Sequence, residues 1–123
     1  MIIDKPLLSL NEYIKIERGN KYAAANIKKS ETRYCEICSK NRMKAVSDYP
    51  VDILVKWYTK GRKDSDNVDF GIKFILDGMV KAGVLENDSP KFVRNIYHQH
   101  FKDKNEHCEV ILGQFELIER ITK

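Results

Sequence analysis

Residues 1–123 are predicted to form a single mixed α/β (α+β) domain, with N-terminal helices and one buried helix set against a small sheet. Three observations carry that expectation. A chain of 123 residues can enclose one hydrophobic core but not two. Helical and strand-like hydrophobic periods follow one another in the order α, α, β, α, β, β. No repeat, low-complexity tract or Pro- or Gly-rich linker divides the chain.

The first helix is announced by a capping box, Ser9 with Glu12 three residues on, followed by Leu10, Tyr13 and Ile14 at helical spacing and stopped by Gly19-Asn20. A longer helix is expected from Lys21 to about Ala45. On it Ala23, Ile27, Tyr34, Cys38 and Ala45 fall within an arc of about 60°, the expected core stripe. Lys29, Arg33, Lys40 and Lys44 gather on nearly the opposite side, interrupted by Glu36, so this helix has a basic back. "YPVDILVKWYTK" reads as a strand from Val51 to Thr59, from its β-branched and aromatic residues. A helix from Asn67 to Ala82 follows, closed by Gly83. It is apolar on most of its circumference and hence expected to be buried, so its one polar slice, Asp69, Lys73 and Asp77, is expected to face a cleft or a partner group, with Asp69 read as an i,i+4 ion-pair residue at the helix start. "SPKFVRNIYHQHF" and "HCEVILGQFEL" read as two more strands joined by the polar turn "KDKNE".

Charge is distributed unevenly. Residues 1–63 hold fourteen Lys or Arg against seven Asp or Glu, giving +7, while residues 64–123 hold eight against eleven, giving −3; together they make the net +4. A basic half is the electrostatic footprint of a polyanion partner, and an acidic cluster beside it repels that partner unless a cation intervenes. No apolar run reaches the roughly 18 residues of a membrane span, and "MIIDKPLLSL" lacks the pattern of a secretory signal. With three cysteines, an odd count, these features point to a cytoplasmic protein with free thiols.

The chemistry concentrates in "KGRKDSDNVDFGIKFILDG". Asp64 and Asp66 stand two apart at a strand end, where an extended backbone aims both carboxylates to one side. Two such groups repel, and a hard divalent cation held by oxygen ligands, Mg²⁺ or Mn²⁺, is the usual compensation. A third carboxylate, Asp88, is available in the turn "ENDSP" beyond the helix. Lys60, Arg62 and Lys63, with Lys29, Arg33, Lys40 and Lys44, are suited to phosphate contacts that do not depend on sequence.

These residues carry a resemblance. "DSDNVDFGIKFILDGMVKAGVLENDSP" resembles the core motif of the RusA-type Holliday junction resolvases, small endonucleases of bacteria and their phages, and "LNEYIKIERGNKYAAANIKK" resembles the lead-in of phage-borne members. Together they span residues 10–90, about two-thirds of the chain. The resemblance implies that Asp64, Asp66 and Asp88 are catalytic metal ligands and that Lys73 is a catalytic lysine. It also implies a homodimer, a four-way DNA junction as substrate, and a role in DNA recombination and repair in a bacterial or phage-infected cytoplasm. Two departures stand out. Asp69-Phe70-Gly71 looks inserted, so that Lys73 follows Asp66 by seven residues instead of four, and Asn87 occupies a position where the family often has a second carboxylate, leaving Glu86 as a substitute.

Other readings compete. Cys35-x-x-Cys38, His98-x-His100 and His107-Cys108 offer the ligand types of a zinc site, which would make the chain a zinc-stabilised DNA-binding module without catalysis. Against this, the Cys pair lies inside a helical pattern with no turn glycine, and Cys38 sits on the core stripe, where a cysteine acts as a small hydrophobe. A nuclease acting on forks or flaps, or a branched-DNA binder that has lost catalysis, fits the same residues.

Overall fold

In a computed structural model, which describes residues 1–61 and 63–115, the elements run β1 (Ile2–Ile3), α1 (Leu10–Gly19), α2 (Lys21–Arg42), β2 (Val51–Thr59), α3 (Ser65–Asp69), α4 (Ile72–Lys81), β3 (Val93–Lys102) and β4 (His107–Gly113). The strands form one sheet in the order β1-β4-β2-β3, with β2 parallel to β3 and antiparallel to β4. The mixed α/β expectation is met.

β2 is central because it is the strand that is apolar enough to be covered. Val51, Ile53, Val55 and Trp57 are buried, and with Val110 and Cys108 of β4 they meet Phe74, Ile75 and Met79 of α4. Burying these side chains stabilises the fold by roughly 1.5–3 kcal/mol each before the cost of ordering them. Asp52 interrupts the apolar run yet is fully enclosed. It accepts Arg94 Nε at 3.1 Å and Nη2 at 2.7 Å, Asn95 Nδ2 at 2.9 Å and the Phe115 backbone N–H at 2.8 Å. A buried charge with four donors is a satisfied one.

Local signals place most boundaries. Ser9 and Glu12 form the expected capping box, and β2 spans the expected Val51–Thr59. Asn20 serves two helices: its N–H bonds the Ile16 carbonyl to close α1, while its Oδ1 accepts the N–H groups of Tyr22 and Ala23 to open α2. Gly83 ends the α4 segment at φ +79°, a conformation that glycine adopts without penalty. The two C-terminal strands form as expected up to Gly113; Glu116 and Leu117 of "HCEVILGQFEL" lie outside the described residues.

Three expectations are corrected. Ile2–Ile3 adds a strand against Cys108 and Glu109, too short to leave a period in the sequence. α2 stops at Arg42 because Met43 turns extended (φ −126°, ψ 145°), and its buried face is Ala24, Glu31, Thr32, Cys35, Cys38 and Ser39. That face is turned by about 90° from the centre of the expected stripe, and Cys38 is the one residue common to both. The reason is a close helix crossing: a Cβ on Gly78 of α4 would lie 2.6 Å from Cys35 Cβ, so only small side chains fit between α2 and α4. Finally, the single helix expected over 67–82 is two helices, divided at Phe70-Gly71. Both residues keep right-handed angles, but the bonds there run to the third residue back, as Gly71 N–H to Val68 O and Lys73 N–H to Phe70 O. Gly71 sits under Trp57, where a Cβ would come within 2.9 Å of the indole.

Candidate functional site

α3 leaves the C-terminal end of β2 through the basic loop 60–63 and is anchored by Asn67, whose Oδ1 accepts the Asn11 N–H at 2.8 Å. Asp64 is the N-cap by backbone geometry (φ −62°, ψ 132°), but its side chain makes no cap bond. Asp64 and Asp66 are both exposed, and neither carboxylate has a hydrogen bond or ion pair among the described residues.

Asp88 does not join them within one chain. β2 and β3 are parallel, with Val51 beside Val93 and Thr59 beside Lys102. Asp88 precedes β3, in a turn held at the β2 start by Glu86 N–H to Tyr49 Oη at 3.0 Å and Val51 N–H to Phe92 O at 2.9 Å. Asp64 and Asp66 follow the β2 end. The two sites thus adjoin opposite ends of the nine-residue strand β2.

Lys73 is exposed on the first turn of α4 and forms no ion pair with Asp69 or Asp77; the break at Gly71 separates it from Asp69, while Asp77 lies one turn on in the same helix. The basic back of α2 is present: Lys29, Arg33, Lys40 and Lys44 are all exposed, although Lys44 lies beyond the helix end. Arg33 and Lys40 share Glu36, at 3.2 and 3.3 Å. Lys60 is exposed, Lys63 pairs with Glu106 at 2.6 Å, and Arg62 lies outside the described residues.

Asp69, read from sequence as a helix-surface ion pair, instead turns inward. Its Oδ1 lies 2.9 Å from His100 Nε2 and 3.3 Å from His98 Nδ1, and Trp57 Nε1–H donates to that same His98 nitrogen at 2.9 Å. His98 also stacks on Trp57, with centroids 6.1 Å apart and planes at 13°. Receiving the indole proton requires His98 Nδ1 to be bare, so the neutral tautomer carries its proton on Nε2. Burial lowers the His98 pKa below its ordinary value; the Asp69 charge raises it and His100 lowers it further. Asp69 Oδ1 is buried without a well-directed hydrogen bond. The side that His98 and His100 share on their strand was legible by alternation, but their meeting with Asp69 was not.

The zinc reading finds its thiols in the core. Cys35, Cys38 and Cys108 are free and buried; burial pushes the Cys35 thiol pKa up and that of Cys108 up to about 12, away from the thiolate form a metal needs. Among the described residues, no three His, Cys, Asp or Glu are gathered so as to hold a metal by themselves. The donor set at α3 is two exposed carboxylates. That suits Mg²⁺, which keeps several waters and is commonly held by one or two carboxylates together with substrate phosphate.

No family model and no curated protein matches this chain. The described residues define a small α/β domain with a carboxylate edge, an adjoining Asp-His-His cluster and an exposed basic helix face. No helix among them is long and apolar enough to cross a membrane.

Proposed function

We propose that this chain is a Mg²⁺-dependent endodeoxyribonuclease of the RusA type, working as a homodimer in a bacterial or phage-infected cytoplasm to nick branched DNA, with four-way junctions as substrate. The observation that carries the reading is the pair Asp64 and Asp66, exposed and unpaired among the described residues on a one-turn helix beside the basic loop at the end of the central strand. Asp64 caps α3 and Asp66 lies in its first turn, so they do not share the extended backbone expected of a strand end; two carboxylates two positions apart in sequence still favour a nearby cation. Mn²⁺ suits the same oxygen donors.

Asp64 and Asp66 would hold the metal, which when bound supplies Lewis-acid activation of a phosphodiester and of a water. Lys29, Arg33, Lys40, Lys44 and Lys60 would hold phosphates, so affinity falls as salt rises. Lys73 would act as a point donor to phosphate oxygens. A binding module without catalysis is the second reading, favoured by the placement of Asp88 at the far end of β2.

One experiment separates them. Wild type and Asp66→Asn are incubated with four-way, forked and linear DNA, in Mg²⁺ and in chelator. Paired symmetric nicks in the four-way substrate are expected from wild type in Mg²⁺ alone, with binding but no nicks from the variant. Cleavage confined to forks would move the substrate, equal cleavage by both proteins would remove the assigned ligand, and binding without nicks from either would select the second reading.

A further inference from the structure

We propose that the open face of the sheet, at the C-terminal ends of β2 and β3, binds an unpaired segment of a DNA strand. One nucleobase would stack on the outer face of Phe101, with neighbouring phosphates against Lys60 and Lys104. The proposal deepens the reading above and rests on it for the class of polymer, while its site involves none of the α3 carboxylates.

Side chains alternate along β2, so with Val55 and Trp57 buried against the helices, Tyr58 faces the other way. The register sets Tyr58 directly between Phe101 of β3 and His107 of β4. The three rings form a stack across three strands: the centroids of Tyr58 and His107 are 4.3 Å apart with planes at 3°, and those of Tyr58 and Phe101 are 5.1 Å apart with planes at 21°. Among the described residues β3 is an edge strand, so the stack ends at Phe101, which has Tyr58 on one face and no described strand beyond the other. Its 43% exposure is large for an apolar ring. A further planar ring is the natural occupant of that open end.

The charge beside it selects the polymer. Lys60, Lys102 and Lys104 line one open depression together with Gly61 and Asp103. Asp103, the one carboxylate among the described residues that line it, accepts the Asn105 N–H at 2.8 Å within its own turn, and Lys60 and Lys104 also border a second depression with Asp4 and Glu106. Gly61 stands at φ +67°, and apart from its chain neighbours no described residue comes within 4 Å of where a Cβ would be. Lys60 and Lys104 stand just past the ends of the two strands that carry Tyr58 and Phe101, and ammonium groups at the end of an open aromatic stack match a strand of alternating phosphate and base. A base already stacked inside a duplex has no free face to offer, which restricts the occupant to unpaired nucleotides such as those at a branch point.

The test is fluorescence anisotropy in chelator, with a single-stranded oligonucleotide and its duplex, on wild type, Phe101→Ala, Phe101→Leu and Phe101→Tyr. The Ala and Leu variants are expected to lose about tenfold in single-strand affinity, the Tyr variant to keep it, and duplex binding to change less than about twofold. Circular dichroism shows whether each variant is folded, and the Leu variant keeps the apolar bulk if Ala perturbs the strand. Equal single-strand binding by all four proteins overturns the proposal. So does a change in sedimentation with Phe101→Ala at unchanged single-strand binding, which would give this face to a second copy of the chain. Because no metal is present, the outcome is independent of cleavage: a Phe101 effect in a chain that nicks nothing keeps this site and retires the nuclease reading, and nicking without a Phe101 effect does the reverse.

Discussion

Asp52 shows how one residue can tie distant parts of a chain together and leave a pH signature. Its carboxylate, at the start of the central strand, gathers Arg94, Asn95 and the backbone of Phe115. The Arg94 hydrogen bond holds its pKa down to about 2, against the opposing effect of burial and with help from the Phe115 and Asn95 bonds. A folded-state pKa below the unfolded value of about 3.9 contributes stability that is present above pH 4 and lost as pH falls towards 2. Asp52→Asn is therefore expected to cost about 2 kcal/mol at pH 6 and progressively less at pH 3.5 and 2.5. Urea unfolding at the three pH values measures this, and a constant difference would contradict it. Little of this was readable beforehand, since Asp52 looked like one polar member of a strand. The cluster of Asp69 with His98 and His100 stayed hidden for the same reason: the partners lie about thirty positions apart, and their meeting depends on how a helix breaks.

Elements were legible where their signals are local and misread where packing decided. The capping box, the limits of β2 and the glycine closing α4 each rest on neighbours in sequence, and each appears as expected. The buried face of α2 does not. Hydrophobicity favours large residues for the core, but a close crossing selects small ones, so Ala24, Cys35 and Ser39 go inward while Tyr34 and Ile37 stay exposed. Gly78→Ala probes that crossing. Alanine gains up to about 1 kcal/mol in helix propensity, yet its Cβ would stand 2.7 Å from Glu36 N and 2.8 Å from Cys35 C, both backbone atoms. A net loss of about 1–3 kcal/mol in urea unfolding is expected. A neutral or stabilised variant would show that α2 and α4 can move apart at little cost.

At the scale of the whole molecule, the parallel pairing of β2 with β3 governs which carboxylates can act together. In a β-α-β passage the chain departs from one end of the sheet and returns at the other, so Asp64 and Asp66 share an end with Lys60, Lys102 and Phe101, and Asp88 lies at the opposite one. The motif made three acidic residues visible; parallel topology, which motif spacing does not reveal, divides them. Under the proposed function, Asp88→Asn is accordingly expected to retain most of the Mg²⁺-dependent cleavage that Asp66→Asn is expected to abolish. Nick counting on the four-way substrate checks it, and loss as complete as that of Asp66→Asn would mean that the third carboxylate arrives from elsewhere, such as a second copy. The closed core also has a practical consequence for such measurements. Because all three native thiols are enclosed and two are held strongly in the protonated form, thiol-directed labels would favour a cysteine introduced on the surface. Spectroscopic probes can then be placed one at a time along either end of the sheet, with the natural cysteines left where they are.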